Sequence, residues 1–323
     1  MKKTILPIAF IAAMLMACST DENNVSDNII SGRASFSATI EGRGNVRAYD
    51  QIWESGDAIG ISGMGMYSGY ANVKYATIGG DGNFTPAGDE EICYKDETPA
   101  TFTAYYPWRE LDGMTVVAAE TWKQAEQKSF DYLWAQAQGS KANPNVAFSF
   151  AHKMAKLVLT VQKGEGTTFD DVKAAGLALF GQKMAGEFDT ATGVAKATGL
   201  CTDDVNMVWM LAGDTMTEHN APFTVDEANE TVSYTMIFFP QTFDKTLRLA
   251  AFLPGKATLY VDAIDFTAAN ANAGDAAAKN EWVAGRQYNL SVTLNKHACN
   301  MSGCAIAKWD MADAGNVEAD GEW

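Results

Sequence analysis

The residues able to do chemistry are few and scattered. The three His stand at 152, 219 and 297, none with a Cys or His at metal-ligand spacing. No phosphate-binding Gly-x-x-x-x-Gly-Lys loop occurs, no Gly-x-Gly-x-x-Gly follows a strand, and there is no Gly-x-Ser-x-Gly nucleophile turn. The 40 Asp and Glu offer no pair that spacing alone assigns to acid and base. No catalytic residue, metal or cofactor is expected, and an enzyme is not the reading. Beyond Cys18, four Cys stand at 93, 201, 299 and 304, and four allow three pairings. Cys299 and Cys304 would bridge a short hairpin between Leu294 and Ile306, while Cys93 and Cys201 read as buried thiols. Tyr105, Tyr106 and Trp108 are the densest aromatic stretch. Neighbouring strand residues point to opposite faces, so packing explains them better than stacking on a sugar.

The elements that would hold these residues are strands. Ala34, Phe36, Ala38 and Ile40 alternate with Ser35, Ser37 and Thr39, the two-residue period of a strand with one buried face. Similar runs cover Ala100–Tyr106, Ala155–Val161, Thr231–Phe239, Leu247–Leu253 and Gln287–Leu294. Turns such as Gly79–Asn83 and Asp189–Gly193 separate them. Many short strands with Gly, Asn and Asp between them predict an all-β sandwich architecture. Short helices are expected within Thr121–Ala137 and Phe266–Ala278, where Ala, Gln and Lys are dense. The turn Asn143-Pro144-Asn145 and the apolar run that follows place a boundary near residue 148. Two domains result, 34–148 and 149–323, each long enough to bury a core.

Composition narrows the partners. Of the 323 residues 47% are apolar, and 24 Lys and Arg face 40 Asp and Glu for a formal charge of −16. Such an acidic chain has no basic footprint for nucleic acid and none for anionic lipid headgroups. At the N-terminus, Lys2 and Lys3 precede an apolar run from Ile5 to Met16, the outline of a secretory signal. Leu15-Met16-Ala17-Cys18 resembles the bacterial lipobox, which implies removal of residues 1–17 and lipidation of Cys18. Residues 18–33, polar and rich in Asn, Ser and Asp, read as a flexible tether. Ser19-Thr20-Asp21-Glu22 resembles the Bacteroidetes signal for export to the cell surface. Membrane contact is therefore expected only through the lipid anchor, at the outer membrane.

Six stretches occur in an order that resembles the fimbrillin (Mfa-like) family of Bacteroidetes pilus lipoproteins. They are Trp53-Glu54-Ser55-Gly56-Asp57-Ala58-Ile59-Gly60-Ile61, Phe102-Thr103-Ala104-Tyr105-Tyr106-Pro107, Phe150-Ala151-His152-Lys153-Met154-Ala155-Lys156-Leu157, Ile237-Phe238-Phe239-Pro240-Gln241, Trp282-Val283-Ala284-Gly285-Arg286-Gln287-Tyr288 and Ile306-Ala307-Lys308-Trp309. The resemblance implies two tandem transthyretin-like β-sandwich domains and a subunit of a surface fimbrium. It also implies assembly with other pilin subunits by strand exchange: a trypsin-like maturation protease cuts after an Arg, the first strand leaves, and a neighbour's segment takes its place. Here Ala34, Phe36, Ala38 and Ile40 would be the exchanged strand. Arg47-Ala48, in a polar Gly-containing loop, matches the cleavage position best, with Arg43 and Arg33 as weaker candidates.

The acidic, Gly-containing end from Asp310 to Trp323 has little bulk to donate. It favours a tip or accessory adhesive subunit, facing host or bacterial surface ligands, over a stalk subunit. The alternative is a monomeric surface lipoprotein that binds glycans. Asp189-Thr190-Ala191 and Asp214-Thr215-Met216 resemble the Bacteroidetes O-glycosylation motif.

Overall fold

A computed structural model describes residues 32–41, 52–64, 69–199, 207–212, 220–243, 246–253, 258–274 and 279–309. The chain is all-β. The first unit holds β1 (Ser35–Ile40), β2 (Ala58–Met64), β3 (Tyr70–Ala76), β4 (Asn83–Pro86), β5 (Ala100–Tyr106), β6 (Val116–Glu120), β7 (Leu133–Gly139) and β8 (Asn145–His152). All but β6 join in a closed barrel of order β1-β4-β3-β2-β5-β7-β8. Closure removes the open edges that a sheet of this length would otherwise expose. The closing pair, β1 with β8, is parallel, whereas the other pairings described in the barrel are antiparallel.

The second unit begins with β9 (Ala155–Lys163), a short helix α1 (Phe169–Ala174), β10 (Gly176–Phe180), β11 (Ala185–Asp189), β12 (Val194–Thr198) and β13 (Met207–Leu211). It continues with β14 (Phe223–Asp226), β15 (Thr231–Phe238), β16 (Gln241–Thr242), β17 (Leu247–Phe252) and β18 (Leu259–Ile264). Helix α2 (Thr267–Asn272), β19 (Glu281–Trp282), β20 (Arg286–Leu294) and β21 (Cys299–Lys308) complete it. A five-stranded sheet β14-β15-β9-β20-β21 and a four-stranded sheet β13-β10-β17-β18 share one core. Leu157, Leu159, Val161, Leu290 and Val292 come from the first sheet, and Leu177, Leu179, Leu249 and Ala251 from the second. Alternate residues on each strand supply it, as two facing sheets require.

A third cluster joins the units. Tyr105, Phe130 and Tyr132 of the first pack with Phe188, Ile237, Phe239 and Trp309 of the second. β6 leaves the barrel to pair antiparallel with β11, giving a three-stranded sheet β12-β11-β6. Buried Gln124 donates to the carbonyls of Thr121 and Ile237 at 2.6 and 2.9 Å and accepts from the Ile237 amide at 3.0 Å. A buried amide satisfied in this way locks orientation as well as adding stability. The barrel core includes Phe148 and Phe150, and the second core begins at Ala155. The expected boundary residue 148 thus lies within β8, and only Lys153 and Met154 connect β8 to β9.

The helix expected within Thr121–Ala137 is a 3-10 turn at Gln124–Ser129 followed by β7 from Leu133. Gln124 and Phe130 are drawn into the junction, and Ala135 faces the barrel core, so tertiary burial overrides the helix preference of Ala and Gln. The helix expected within Phe266–Ala278 forms over Thr267–Asn272.

Candidate assembly site

Strand β1 is positioned by its own alternation. Phe36, Ala38 and Ile40 face inward and Ser35, Ser37 and Thr39 outward, with Ala34 buried just before the strand. Phe36 enters an aromatic cage, its ring 5.0 Å from Tyr75, 5.3 Å from Phe102 and 5.8 Å from Phe148. Burying Phe36 and Ile40 contributes about 1.5–3 kcal/mol each.

The backbone of β1 is held unequally on its two sides. Against β8 all six residues, Ser35 to Ile40, have partners, Asn145 to Phe150. Against β4 the register covers only Phe36 with Phe84 and Ser37 with Asn83. One further bond on that side runs from the Ala38 amide to the Gly82 carbonyl at 2.8 Å. Gly82 has φ +79°, and a Cβ there would lie 2.4 Å from the Ala38 carbonyl oxygen, so only glycine lets the two backbones approach this closely. Trp53 Nε1 donates to the same carbonyl at 2.9 Å. Arg33 pairs with Glu91 at 3.1 Å beside the start of the strand, where the Tyr94 amide bonds the Gly32 carbonyl at 2.7 Å.

Beyond Ile40 the Glu41 amide still bonds the Phe150 carbonyl at 2.8 Å. A cavity of about 850 Å³ opens there, between the units. Ile40, Trp53, Tyr106 and Leu133 wall it from the barrel side, and Phe223, Thr235 and Ile237 from the second unit. Its charged groups are mostly engaged. Asp57 accepts from the Tyr106 hydroxyl at 3.1 Å, Glu54 pairs with Lys128, and Asp131 meets His152 Nδ1 at 3.0 Å.

Several residues singled out in the sequence lie outside the described residues: Cys18, Arg43, Arg47, Ala48, Cys201, His219, the Asp214-Thr215-Met216 motif and the segment Asp310–Trp323. Others are corrected. Cys299 and Cys304 are free thiols, both on β21 and opposite Leu294 and Leu290. Four residues of strand separate those partners by roughly 13 Å, beyond the reach of a disulfide. The hairpin turns earlier than expected, with the Asn295 amide bonded to the Ala298 carbonyl at 2.8 Å. Burial pushes each thiol up to about 12, which leaves little thiolate at neutral pH. Thr190 is buried and its hydroxyl donates to the Thr115 carbonyl at 2.9 Å, so it offers no glycosylation acceptor.

Tyr105 and Tyr106 both pack, on opposite faces of β5. The Tyr105 hydroxyl donates to Asn72 Oδ1 at 2.7 Å, and the Tyr106 ring meets Trp53 at 5.5 Å. His152 is fully buried, stacked on Trp309 with ring centroids 3.9 Å apart, a packing role rather than a ligand. Among the described residues no group of three or more His, Cys, Asp or Glu is placed to hold a metal. No described helix is long and apolar enough to cross a membrane. The sequence had indicated neither the cavity nor Gln124 in the junction, because both depend on residues more than 100 positions apart.

The fimbrillin-like family model matches residues 46–309. A candidate fimbrium subunit of Bacteroides uniformis, Fim1C, is 30% identical over 340 residues, covering 100% of each chain. The crystal structure of a candidate cell adhesion protein from Bacteroides uniformis is 28% identical with a TM-score of 0.64, covering 86% of this chain and 99% of that one. A cell adhesion candidate from Bacteroides ovatus shares the fold at a TM-score of 0.65 and 22% identity, over 87% of this chain and 99% of its own.

Proposed function

The chain belongs to the fimbrillin-like family, and on that premise we propose that it is a surface fimbrium subunit assembled by protease-triggered strand exchange. The observation that carries this reading is β1. It lies at the front of the fold, buries one face, and carries its full ladder on β8 but two register pairs on β4. A cut after Arg47 severs it from everything that follows. Release would expose Tyr75, Phe102 and Phe148 together with the unpaired amides and carbonyls of β8, both costly in water. An extended segment of a neighbouring subunit restores ladder and core together.

The finer parts of the reading follow the sequence. Cys18 carries the acyl anchor at the outer membrane, and a trypsin-like protease makes the cut. The acidic, Gly-containing composition of Asp310–Trp323 supports reading it as a tip or accessory subunit, adhesive toward a surface ligand and without catalysis of its own. We read the two units as tandem transthyretin-like sandwiches, the first rolled until its edges meet at β1. The domain limits 34–148 and 149–323 belong to the same reading.

The test is mass spectrometry and N-terminal sequencing of the protein recovered from the cell surface. A chain beginning at Ala48, and ladders of polymer on gels, are expected. An intact, lipidated Cys18–Arg47 segment on a surface monomer would overturn the exchange. The rival glycan-binding monomer has the junction cavity in its favour. Against it, Trp53 is buried, with Phe84, Tyr106 and Phe150 edge-on to it at 5.1–5.5 Å, and leaves a sugar little ring surface to stack on. Retention of the uncut monomer on a polysaccharide gel would favour that rival.

A further inference from the structure

The bed of β1 is uneven in size along its length. β1 and β8 run parallel, with Phe36 beside Val146, Ala38 beside Phe148 and Ile40 beside Phe150, all buried. Across the first pair a large side chain meets a small one, and across the second a small one meets a large one. Val146 leaves width for the Phe36 ring, which sits 5.0 Å from Tyr75 and 5.3 Å from Phe102. Ala38 has no such width. On one flank stands the Phe148 ring, already stacked on Phe36 with centroids 5.8 Å apart. On the other, Trp53 Nε1 donates to the Ala38 carbonyl at 2.9 Å. The same indole closes the space above Gly82, where its Cδ1 would lie 3.3 Å from an added Cβ, and the Gly82 carbonyl accepts from the Ala38 amide. A larger side chain at position 38 has to push aside a buried aromatic ring, which destabilises by overpacking. An alanine at position 36 leaves a ring-sized hole.

We infer that this bed selects its donor by the order of side-chain sizes: the incoming segment lies parallel to β8 with an aromatic group beside Val146 and a small one beside Phe148, and those two residues of β8 determine specificity. This rests on the exchange reading and adds what the partner must look like. The order also fixes register. A slip of one residue turns Ser35, Ser37 and Thr39 toward the core, and a slip of two sets the aromatic ring beside Phe148. Backbone bonds set the length. They begin where the Gly32 carbonyl accepts from the Tyr94 amide at 2.7 Å and the Ala34 amide donates to the Ile92 carbonyl at 3.0 Å. They end where the Glu41 amide meets the Phe150 carbonyl at 2.8 Å. A donor that fills this bed therefore matches the stretch from Gly32 to Glu41, and a more apolar segment with its large and small groups in another order binds less well.

The experiment uses the full chain with a protease site inserted between residues 43 and 51, nicked so that the first strand stays bound without a covalent link. Three synthetic peptides compete to displace that strand. The first has the sequence from Gly32 to Glu41. The second has the same composition with two residues exchanged, Phe36→Ala and Ala38→Phe. The third carries Ala38→Leu alone and is the more apolar. The exchanged peptide is expected to need a concentration about a hundredfold higher than the first, and the Ala38→Leu peptide about tenfold higher. In protein carrying Phe148→Val the penalty on Ala38→Leu should shrink several-fold. Equal potency of the first two peptides, or stronger displacement by the more apolar third, overturns the inference and leaves strand exchange standing. A folded Phe148→Val protein that keeps the full penalty overturns it too; should that variant not fold, the three peptides on the unaltered protein decide. Failure of the first peptide to displace the strand at any concentration defeats the exchange reading itself, and the inference with it.

Discussion

The two units contain the same device in different settings. Each has a parallel strand pair, β1 with β8 in the first and β9 with β20 in the second. β9 has eight parallel partners on β20 and eight antiparallel partners on β15, so it is locked on both flanks along its length. β1 has six on one flank and two on the other. Both strands bury an alternating apolar face, so hydrophobicity does not tell them apart, and the completeness of their ladders does.

The sharpest way to break this comparison is a pair of core truncations. Phe36→Ala should cost the intact chain about 3–5 kcal/mol, and Leu159→Ala about 2–5 kcal/mol, in denaturant unfolding. After processing, only Leu159→Ala should still matter. If Phe36→Ala keeps its effect in the processed, assembled subunit, β1 never leaves. A smaller loss, about 1–3 kcal/mol, is expected for Gly82→Ala, which strains a left-handed residue against the Ala38 carbonyl. The thermal unfolding of the first unit reads it, and an unchanged midpoint would show that β4 does not clamp the strand.

Alkaline pH separates the units more gently. Burial pushes Cys299 and Cys304 from 9.0 to about 12 in the second unit, and Tyr94 and Tyr105 from 10.0 to about 12 in the first. The folded state holds these groups neutral while the unfolded chain ionises sooner. Their contribution is therefore whole below the unfolded values and drains away as pH rises toward 12. Near-ultraviolet circular dichroism should show the second unit weakening from about pH 9 and the first from about pH 10, and replacing both Cys by Ala should move the earlier onset up. The smallest effect belongs to Glu91→Gln. It removes a half-exposed ion pair to Arg33 and should change stability by less than about 1 kcal/mol.

Strands with one buried face were legible in the sequence for a simple reason: solvent on one side and core on the other write a two-residue period. Ala100–Tyr106 and Ser35–Ile40 show it, and both ends of β5 were read correctly. β6 was not legible. Its residues Val116–Glu120 are partly exposed throughout, and its partner β11 lies in the other unit, so neither pattern nor proximity marked the pair. The Cys299–Cys304 bridge failed because a hairpin turn shifted by a few residues puts both thiols on one strand. β1 was legible as a strand, but its unequal ladders and the cavity beyond it exist only once β4, β8 and the second unit are folded around it.

Lys153 and Met154 alone separate β8 from β9, and Met154 is itself fully buried between the units. Two residues, one of them held in the core, leave little slack, so tension applied to the barrel would pass directly along the chain into the second sheet.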